Sequence, residues 1–501
     1  MADKLTPQQA QAVYDRGGKL LVSAAAGSGK TKVLVDRLMS YLTDAKDPAN
    51  LDEFLIITYT KAAASELRGK IAAKLKQQIA QDPENRHLQK QMQRLFLTKI
   101  STVHGFCADI LREYAYKLDI AADFRVADEN ECAEIRETVM TDLLDRAYEN
   151  AAEDADFRAF VDTQGLGRDD RLVPEILLKV YDSARCHLDP TGWLENCLRA
   201  AEVSEAADAS ETLWGRYLMA DLQDYLDMQI TVMERCASQA SACPGLEKAA
   251  ANLQDTVFQL RHLRESETWD EILARKKIDY GRLVFPKKNP DPDLTERMKA
   301  ARNACKKGME KKLQSFADES SQLLLDLQQC AAGTRGLVAL VRQFDREYSR
   351  AKRSRRVLDF GDLEHKTLDL LVGKSRSSVT AAAREVGRRF REIMVDEYQD
   401  SNGVQDAIFG ALTAEKQSCF MVGDVKQSIY QFRLADPGIF LEKYHAYESA
   451  EEASDGQGRK VFLSHNFRSG PEVISAVNDV FSCCMSPRVG GLRYGEAEAL
   501  R

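Results

Sequence analysis

The stretch Leu20-Leu21-Val22-Ser23-Ala24-Ala25-Ala26-Gly27-Ser28-Gly29-Lys30-Thr31 constrains the fold of this chain more than any other. A short apolar run breaks into small residues and ends in Gly-Lys-Thr, and Lys32-Val33-Leu34-Val35-Asp36-Arg37-Leu38 then resumes at helical spacing. Strand, small-residue loop and helix N-terminus in that order make a phosphate-binding loop, because the free backbone N–H groups and the helix dipole there favour an anion. Ala24, Ala25, Ala26, Gly27, Ser28 and Gly29 form its wall, and the two glycines let the backbone close around phosphate oxygens. In such a loop Lys30 reaches the β- and γ-phosphates and the Thr31 hydroxyl ligates Mg²⁺. Ala24 stands where the usual pattern has glycine.

Composition limits what can surround this loop. At 501 residues the chain has material for about three domains. Its net charge of −8, from 70 Lys plus Arg against 78 Asp plus Glu, excludes a uniformly basic nucleic-acid coat, so a polyanion would need a local groove. The eleven cysteines are scattered without a Cys-x-x-Cys, which fits a reducing cytoplasm and argues against a zinc site or disulfide framework. No run approaches the roughly 20 apolar residues of a membrane helix, and Met1-Ala2-Asp3-Lys4 opens no signal core. A soluble cytoplasmic protein is expected.

Ahead of the loop, Leu5-Thr6-Pro7-Gln8-Gln9-Ala10 predicts a helix capped by Thr6 with Pro7 in its first turn. Gln9 is placed to pair with an adenine edge, since its amide offers both donor and acceptor. After the loop, Phe54-Leu55-Ile56-Ile57-Thr58-Tyr59-Thr60 reads as a buried strand running into a helix from Lys61, and Lys99-Ile100-Ser101-Thr102-Val103-His104-Gly105-Phe106 repeats the design. Strand and helix in alternation predict a parallel, doubly wound α/β sheet, whose ligands lie at the carboxyl ends of its strands. There Tyr59 is placed to stack on a base and Lys61 to touch a phosphate. A lone histidine such as His104 is structural more often than catalytic.

From about Asp128 to Arg356 the strand signals stop, and apolar residues recur at three and four, as in Leu323-Leu324-Leu325-Asp326-Leu327. This predicts an all-helical insertion. Pro244-Gly245 marks one loop inside it, and Pro286, Asn289, Pro290 and Pro292 mark another. Basic clusters at 275–277, 306–307, 311–312 and 350–356 are candidates for a nucleic-acid path, although such runs are usually solvated helix faces.

Past the insertion, Phe390-Arg391-Glu392-Ile393-Met394-Val395-Asp396-Glu397 is a strand delivering two adjacent carboxylates. One can hold Mg²⁺ while the other polarises a water for attack on a γ-phosphate. The next strand, Ser418 to Asp424, runs into Val425-Lys426-Gln427-Ser428-Ile429-Tyr430-Gln431-Phe432-Arg433, which brings an amide, two aromatics and an arginine.

The phosphate loop, Asp396-Glu397-Tyr398-Gln399-Asp400, Gly423-Asp424-Val425-Lys426-Gln427-Ser428-Ile429-Tyr430 and Asn466-Phe467-Arg468-Ser469 together resemble the UvrD-like superfamily one helicases. Ser101-Thr102-Val103-His104-Gly105-Phe106-Cys107, Phe124 to Glu129, Leu358-Asp359-Phe360-Gly361-Asp362-Leu363-Glu364 and Phe432-Arg433-Leu434-Ala435-Asp436-Pro437 are similar to the AddA branch, the helicase-nuclease subunits that pair with AddB. The resemblance implies a P-loop, RecA-like ATP domain over 1–127 and 357–458, a helical insertion over 128–356, and the beginning of a second RecA-like domain over 459–501. It implies that Gln9 reads adenine, that Lys30 and Thr31 serve ATP and Mg²⁺, that Asp396 holds the metal and that Glu397 activates water. It further implies that Gln427 couples the γ-phosphate to DNA, that Arg468 is an arginine finger and that Phe467 packs on adenine. Tyr59, Thr60, Lys61, Thr102, His104, Tyr430, Phe432 and Arg433 become the DNA-facing set. Val103 and Gly105 depart from the more frequent aromatic and serine.

The expected function is the motor of a DNA helicase-nuclease, using ATP hydrolysis to move on single-stranded DNA and unwind duplex in double-strand-break repair by homologous recombination. A heterodimer with an AddB-like partner is expected, and no membrane partner. The alternatives are a UvrD-type repair helicase without nuclease and an ATP-dependent DNA-binding module without turnover. Residues 469–501 are too few for a second RecA-like domain or a nuclease, so a fragment or shortened chain is expected.

Overall fold

The computed structural model describes residues 5–164, 170–203, 206–286, 290–415, 418–431, 434–454, 456–487 and 489–501. They form two compact units, one of residues 1–141, 179–191 and 344–501 and one of residues 142–178 and 192–343.

The first unit is built on strands β1 (Lys19–Ala24), β2 (Phe54–Thr58), β3 (Lys99–Thr102), β4 (Arg125–Val126), β5 (Val357–Leu358), β6 (Glu392–Val395), β7 (Ser418–Gly423), β8 (Glu448–Ser449) and β9 (Arg459–Leu463). Seven of them make one sheet in the order β3-β2-β6-β7-β1-β9-β8, and every pairing in it is parallel. Strands β2, β6 and β7 are buried along their whole length, as a sheet covered on both faces requires.

The period of two sorts each strand between two apolar layers. Leu20, Val22, Phe54, Ile56, Met394 and Phe420 pack with helices 7–14, 30–42, 61–81 and 86–94. Leu21, Leu55, Ile57, Ile393, Val395 and Met421 pack with helices 103–113, 360–372 and 403–412. The doubly wound α/β sheet expected from the sequence is therefore present. Because β1 lies between β7 and β9, with β6 one strand further on, the phosphate loop and the segments after Val395 and Gly423 all open at one carboxyl edge.

Residues 459–463, given above to the beginning of a second domain, are β9 of this sheet and pair with β1 from Leu20↔Arg459 to Ala24↔Leu463. The strands β4 and β5 pair with each other where the chain leaves for and returns from the helical stretch.

The second unit contains no strand among its described residues. Its longest helix lying wholly within it, Leu213–Ala242, is capped by Thr212, whose hydroxyl accepts from Gly215 N. Leu222, Leu226, Met233, Leu253, Leu260, Met298 and Phe316 form its core. Pro292 opens a helix, Pro292–Leu313, rather than extending the loop before it, since Asp291 caps that helix and proline suits the first turn. Asn289 lies outside the described residues.

Candidate active site

The phosphate loop begins where β1 ends. Ala24 and Ala25 are buried, Ala25 N donates to Leu463 O at 2.9 Å and Ser28 N to Ala25 O at 3.1 Å. Gly27 and Gly29 take φ of +71° and +86°, a region a side chain disfavours, and Gly29 is the N-cap of helix Lys30–Leu42. A Cβ on Gly27 would also stand 2.7 Å from Asn466 Oδ1. The Asn466 amide explains this crowding: Nδ2 donates to Ala26 O at 2.9 Å and Oδ1 accepts from Arg468 N and Ser469 N at 2.7 and 2.8 Å. Phe467 N donates to Gly27 O at 2.9 Å. The loop and the 466–469 turn are thus one hydrogen-bonded piece, and the rings of Phe467 and His465 stack with the Phe467 side chain exposed.

Gln9 has its amide committed. Oε1 accepts from Thr6 N at 3.1 Å in a capping box, and Nε2 donates to Ser28 O at 3.0 Å, bracing the loop from below.

Three strand ends converge on Lys30. Its Nζ lies 2.8 Å from Glu397 Oε2 and 3.4 Å from Gln427 Oε1. Glu397 follows β6 in a left-handed conformation, φ +52°, with its N–H on Asp396 Oδ1 at 3.0 Å. Gln399 Nε2 donates to Glu397 Oε2 at 2.8 Å while its Oε1 accepts from Asp424 N at 2.9 Å, joining the turns after β6 and β7. Gln427 Nε2 donates to Asp424 Oδ2 at 2.8 Å. Lys426 binds the other oxygen of Asp424 at 2.9 Å and Glu498 at 2.7 Å, a group of charges with little exposure.

Burial, followed by the neighbouring Glu397 charge, pushes the Asp396 carboxyl up to about 6, and the same two causes push Asp400 up to about 6. Each is a carboxylate that gains by meeting a cation.

The residues fit Mg-ATP. The backbone cradle is preformed in glycine conformations, and the Ser28 hydroxyl, 1% exposed, has no hydrogen-bond partner. No group of three or more His, Cys, Asp or Glu among the described residues could cage a metal. Mg²⁺ needs no such cage, since it is bound by one or two protein oxygens plus substrate phosphates and water, and Thr31 and Asp396 offer two.

Of the DNA-facing set expected from the sequence, Tyr59, Thr60, Lys61, Thr102 and His104 lie at the ends of β2 and β3. Thr60 and Thr102 cap helices, accepting from Ala63 N and Gly105 N at 3.1 Å each. Lys61 is exposed. Tyr59 is half-buried and shares a hydrogen bond with Ser401 Oγ. His104 Nε2 lies 3.0 Å from Glu364 Oε1, and its ring stacks on Phe360 at 4.4 Å. Tyr430 is half-buried. Phe432 and Arg433 lie outside the described residues. Arg468 is exposed beside the loop.

Sequence reasoning missed the working parts that hold the site together. Gln399, Asp424, Lys426, Asn466 and Glu364 lie within the motifs that carry the resemblance, which was the available signal. Glu498 carried none, because only the folded chain brings it to Lys426.

The chain belongs to the UvrD/REP helicase family, matching its N-terminal domain over residues 5–448. It is 38% identical to an ATP-dependent helicase/nuclease subunit of Pelotomaculum thermopropionicum across 99% of its own length and 40% of that protein. It is 34% identical to the protein of the same name from Clostridium novyi, over 99% of this chain and 40% of the relative. With that of Moorella thermoacetica the identity is 36%, over 99% and 36%. The chain therefore spans about two fifths of the length of these curated relatives.

Proposed function

We propose that this chain is the ATP-binding motor portion of a DNA helicase-nuclease subunit, coupling Mg-ATP hydrolysis to translocation on single-stranded DNA and duplex unwinding in double-strand-break repair by homologous recombination. The observation that carries the reading is the meeting of Lys30, Glu397 and Gln427, from the ends of three parallel strands, at one phosphate loop.

In this reading Lys30 moves from Glu397 to the phosphates, because a γ-phosphate presents more negative charge than one carboxylate. That exchange frees Glu397 to orient and deprotonate a water. Thr31 and Asp396 would hold Mg²⁺, which would supply neutralisation of the phosphate oxygens. Gln427 offers Lys30 its acceptor oxygen and Asp424 its donor nitrogen. Turning the donor toward a phosphate breaks the Asp424 bond, which gives the 425–427 turn a nucleotide-dependent state. Gln9 and Phe467 border the adenine, and Arg468 serves as the arginine finger.

Tyr59, Thr60, Lys61, Thr102, His104 and Tyr430, with Phe432 and Arg433, form the single-strand track, where stacking and phosphate contacts are both available. The relatives are named as subunits, which supports a partner of the AddB kind. All eleven cysteines are free, and no helix among the described residues is long and apolar enough to cross a membrane, which goes with a cytoplasmic setting.

The test is equilibrium binding of a fluorescent ATP analogue with Mg²⁺, followed by phosphate release with and without oligo(dT). Saturable binding and DNA-stimulated release are expected. A chain that binds no nucleotide would sink the proposal.

A further inference from the structure

Glu364 is a carboxylate 6% exposed, on a helix that carries no part of the phosphate loop. It gathers three donors from two directions. His104 Nε2 lies 3.0 Å away, Asn402 Nδ2 donates at 3.2 Å and Gln405 Nε2 at 2.7 Å. Burial opposes its ionisation, but these hydrogen bonds outweigh it and hold the carboxyl below the usual carboxylate range.

The Asn402 and Gln405 amides are used at both ends. Their oxygens close the capping box of helix Gly403–Leu412, Asn402 Oδ1 accepting from Gln405 N at 2.9 Å and Gln405 Oε1 from Asn402 N at 3.4 Å. Their NH₂ groups point to Glu364. An acceptor-only carboxylate therefore fixes both amide orientations and so the start of that helix.

What precedes the helix start is the site. Glu397 leads a single tight turn, Tyr398–Asp400, closed by Asp400 N on Glu397 O at 3.0 Å and Ser401 N on Tyr398 O at 3.1 Å. Ser401 is held by Tyr59, and Asn402 is held by Glu364. The left-handed Glu397 is thus suspended between β6 on one side and two anchors on the other, and both anchors lead to residues of the strand-end face, Tyr59 and His104.

We propose that Glu364 is a positioning residue that ties the His104 face to the Glu397 turn, so that occupancy of the nucleic-acid track and of the nucleotide site are felt by each other. The inference rests on the function proposed above, in which those two sites bind DNA and Mg-ATP. A ligand that shifts His104 pulls on Glu364, which repositions Asn402 and the turn that presents Glu397 to Lys30. By linkage, nucleotide must change DNA affinity by the same factor as DNA changes nucleotide affinity.

The measurement is the affinity of the chain for a non-hydrolysable Mg-ATP analogue with and without saturating oligo(dT), together with a urea midpoint for each protein. Two variants are compared with the parent. Glu364→Gln keeps the shape but sets an NH₂ among three donors. Asn402→Asp keeps a good helix cap yet loses the donation and meets Glu364 with a like charge. The parent is expected to show coupling of roughly fivefold or more, typical of linked sites. Both variants are expected to reduce it to within about twofold of none while staying folded and keeping nucleotide affinity without DNA. Undiminished coupling in either folded variant overturns the role of Glu364 and leaves the proposed function standing. A parent that binds neither ligand, or binds both with no coupling, overturns the inference, and in the first case the function with it.

Discussion

Lys30 Nζ and Glu397 Oε2 stand 2.8 Å apart, a pair joining the first residue of the loop helix to a carboxylate 367 positions later. The Lys30 side chain is 13% exposed and that of Glu397 42%, so the pair sits at the mouth of the site, where a polyphosphate can displace one partner. Under the function proposed above, substrate binding and release of the carboxylate are one exchange.

The two ends of that pair should respond differently to mutation. Lys30→Ala removes charge-assisted contacts to phosphate worth roughly 1.5–3 kcal/mol, or about 10- to 150-fold in affinity. Glu397→Gln removes the competitor for Lys30, so nucleotide affinity should hold or rise while turnover falls by about 10²–10⁴. Titration with a fluorescent analogue and a phosphate-release assay read both. Equal weakening of binding by the two substitutions would count against the exchange.

Asp396 gives a pH test. Its folded-state pKa, about 6, lies above the ordinary value of 3.8, so the folded protein binds more protons between those pH values than the unfolded chain does. Stability in Mg²⁺-free buffer should then fall as pH rises through that window. Asp396→Asn should be more stable than the parent at pH 7, and the gain should vanish toward pH 4. Urea midpoints across pH 4–7 measure it, and a gain independent of pH would contradict the assignment.

Arg37 and Glu392 form a fully buried pair, with side chains 1% and 0% exposed and two hydrogen bonds at 2.6 and 2.8 Å. Tyr41 OH donates to the same carboxylate at 3.2 Å, and Arg37 also donates to Ala12 O at 2.8 Å. The pair joins the loop helix to β6. Glu392→Ala strands a buried guanidinium and should cost about 3–5 kcal/mol, whereas replacing both partners by methionine should cost far less. Denaturant unfolding of the two variants decides between a structural pair and a dispensable one.

Gly27→Ala tests the cradle. A left-handed alanine costs about 1–2 kcal/mol, and its Cβ would press on the Asn466 amide. Nucleotide affinity should drop at least tenfold, with the far-UV circular dichroism unchanged. Affinity equal to the parent would mean that the loop does not close on phosphate.

Much of the fold was legible because its signals are local. Buried apolar runs such as Phe54–Thr58 and Glu392–Val395 follow from their residues alone, and the cap Thr6 follows from a side chain that reaches an N–H group within a turn. Gln9 shows the limit. Its amide chemistry suits a base edge, yet the chain folds so that Ser28 O and the Thr6 N–H lie within reach of both ends.

The phosphate loop, the alternation of strands and helices, the acidic pair after a strand and the helical stretch between the two halves are all written in the order of the residues. Each depends on spacings of a few residues, which backbone geometry converts directly into structure. Tertiary structure alone decided the sheet order β3-β2-β6-β7-β1-β9-β8, the seat of 459–463 beside β1, and the partners of Lys30, Arg37 and Glu364. Those are contacts between residues tens to hundreds of positions apart. Hydrogen-bond geometry and the cost of burying an unpaired charge act on them only once the parallel strands have brought their carboxyl ends together.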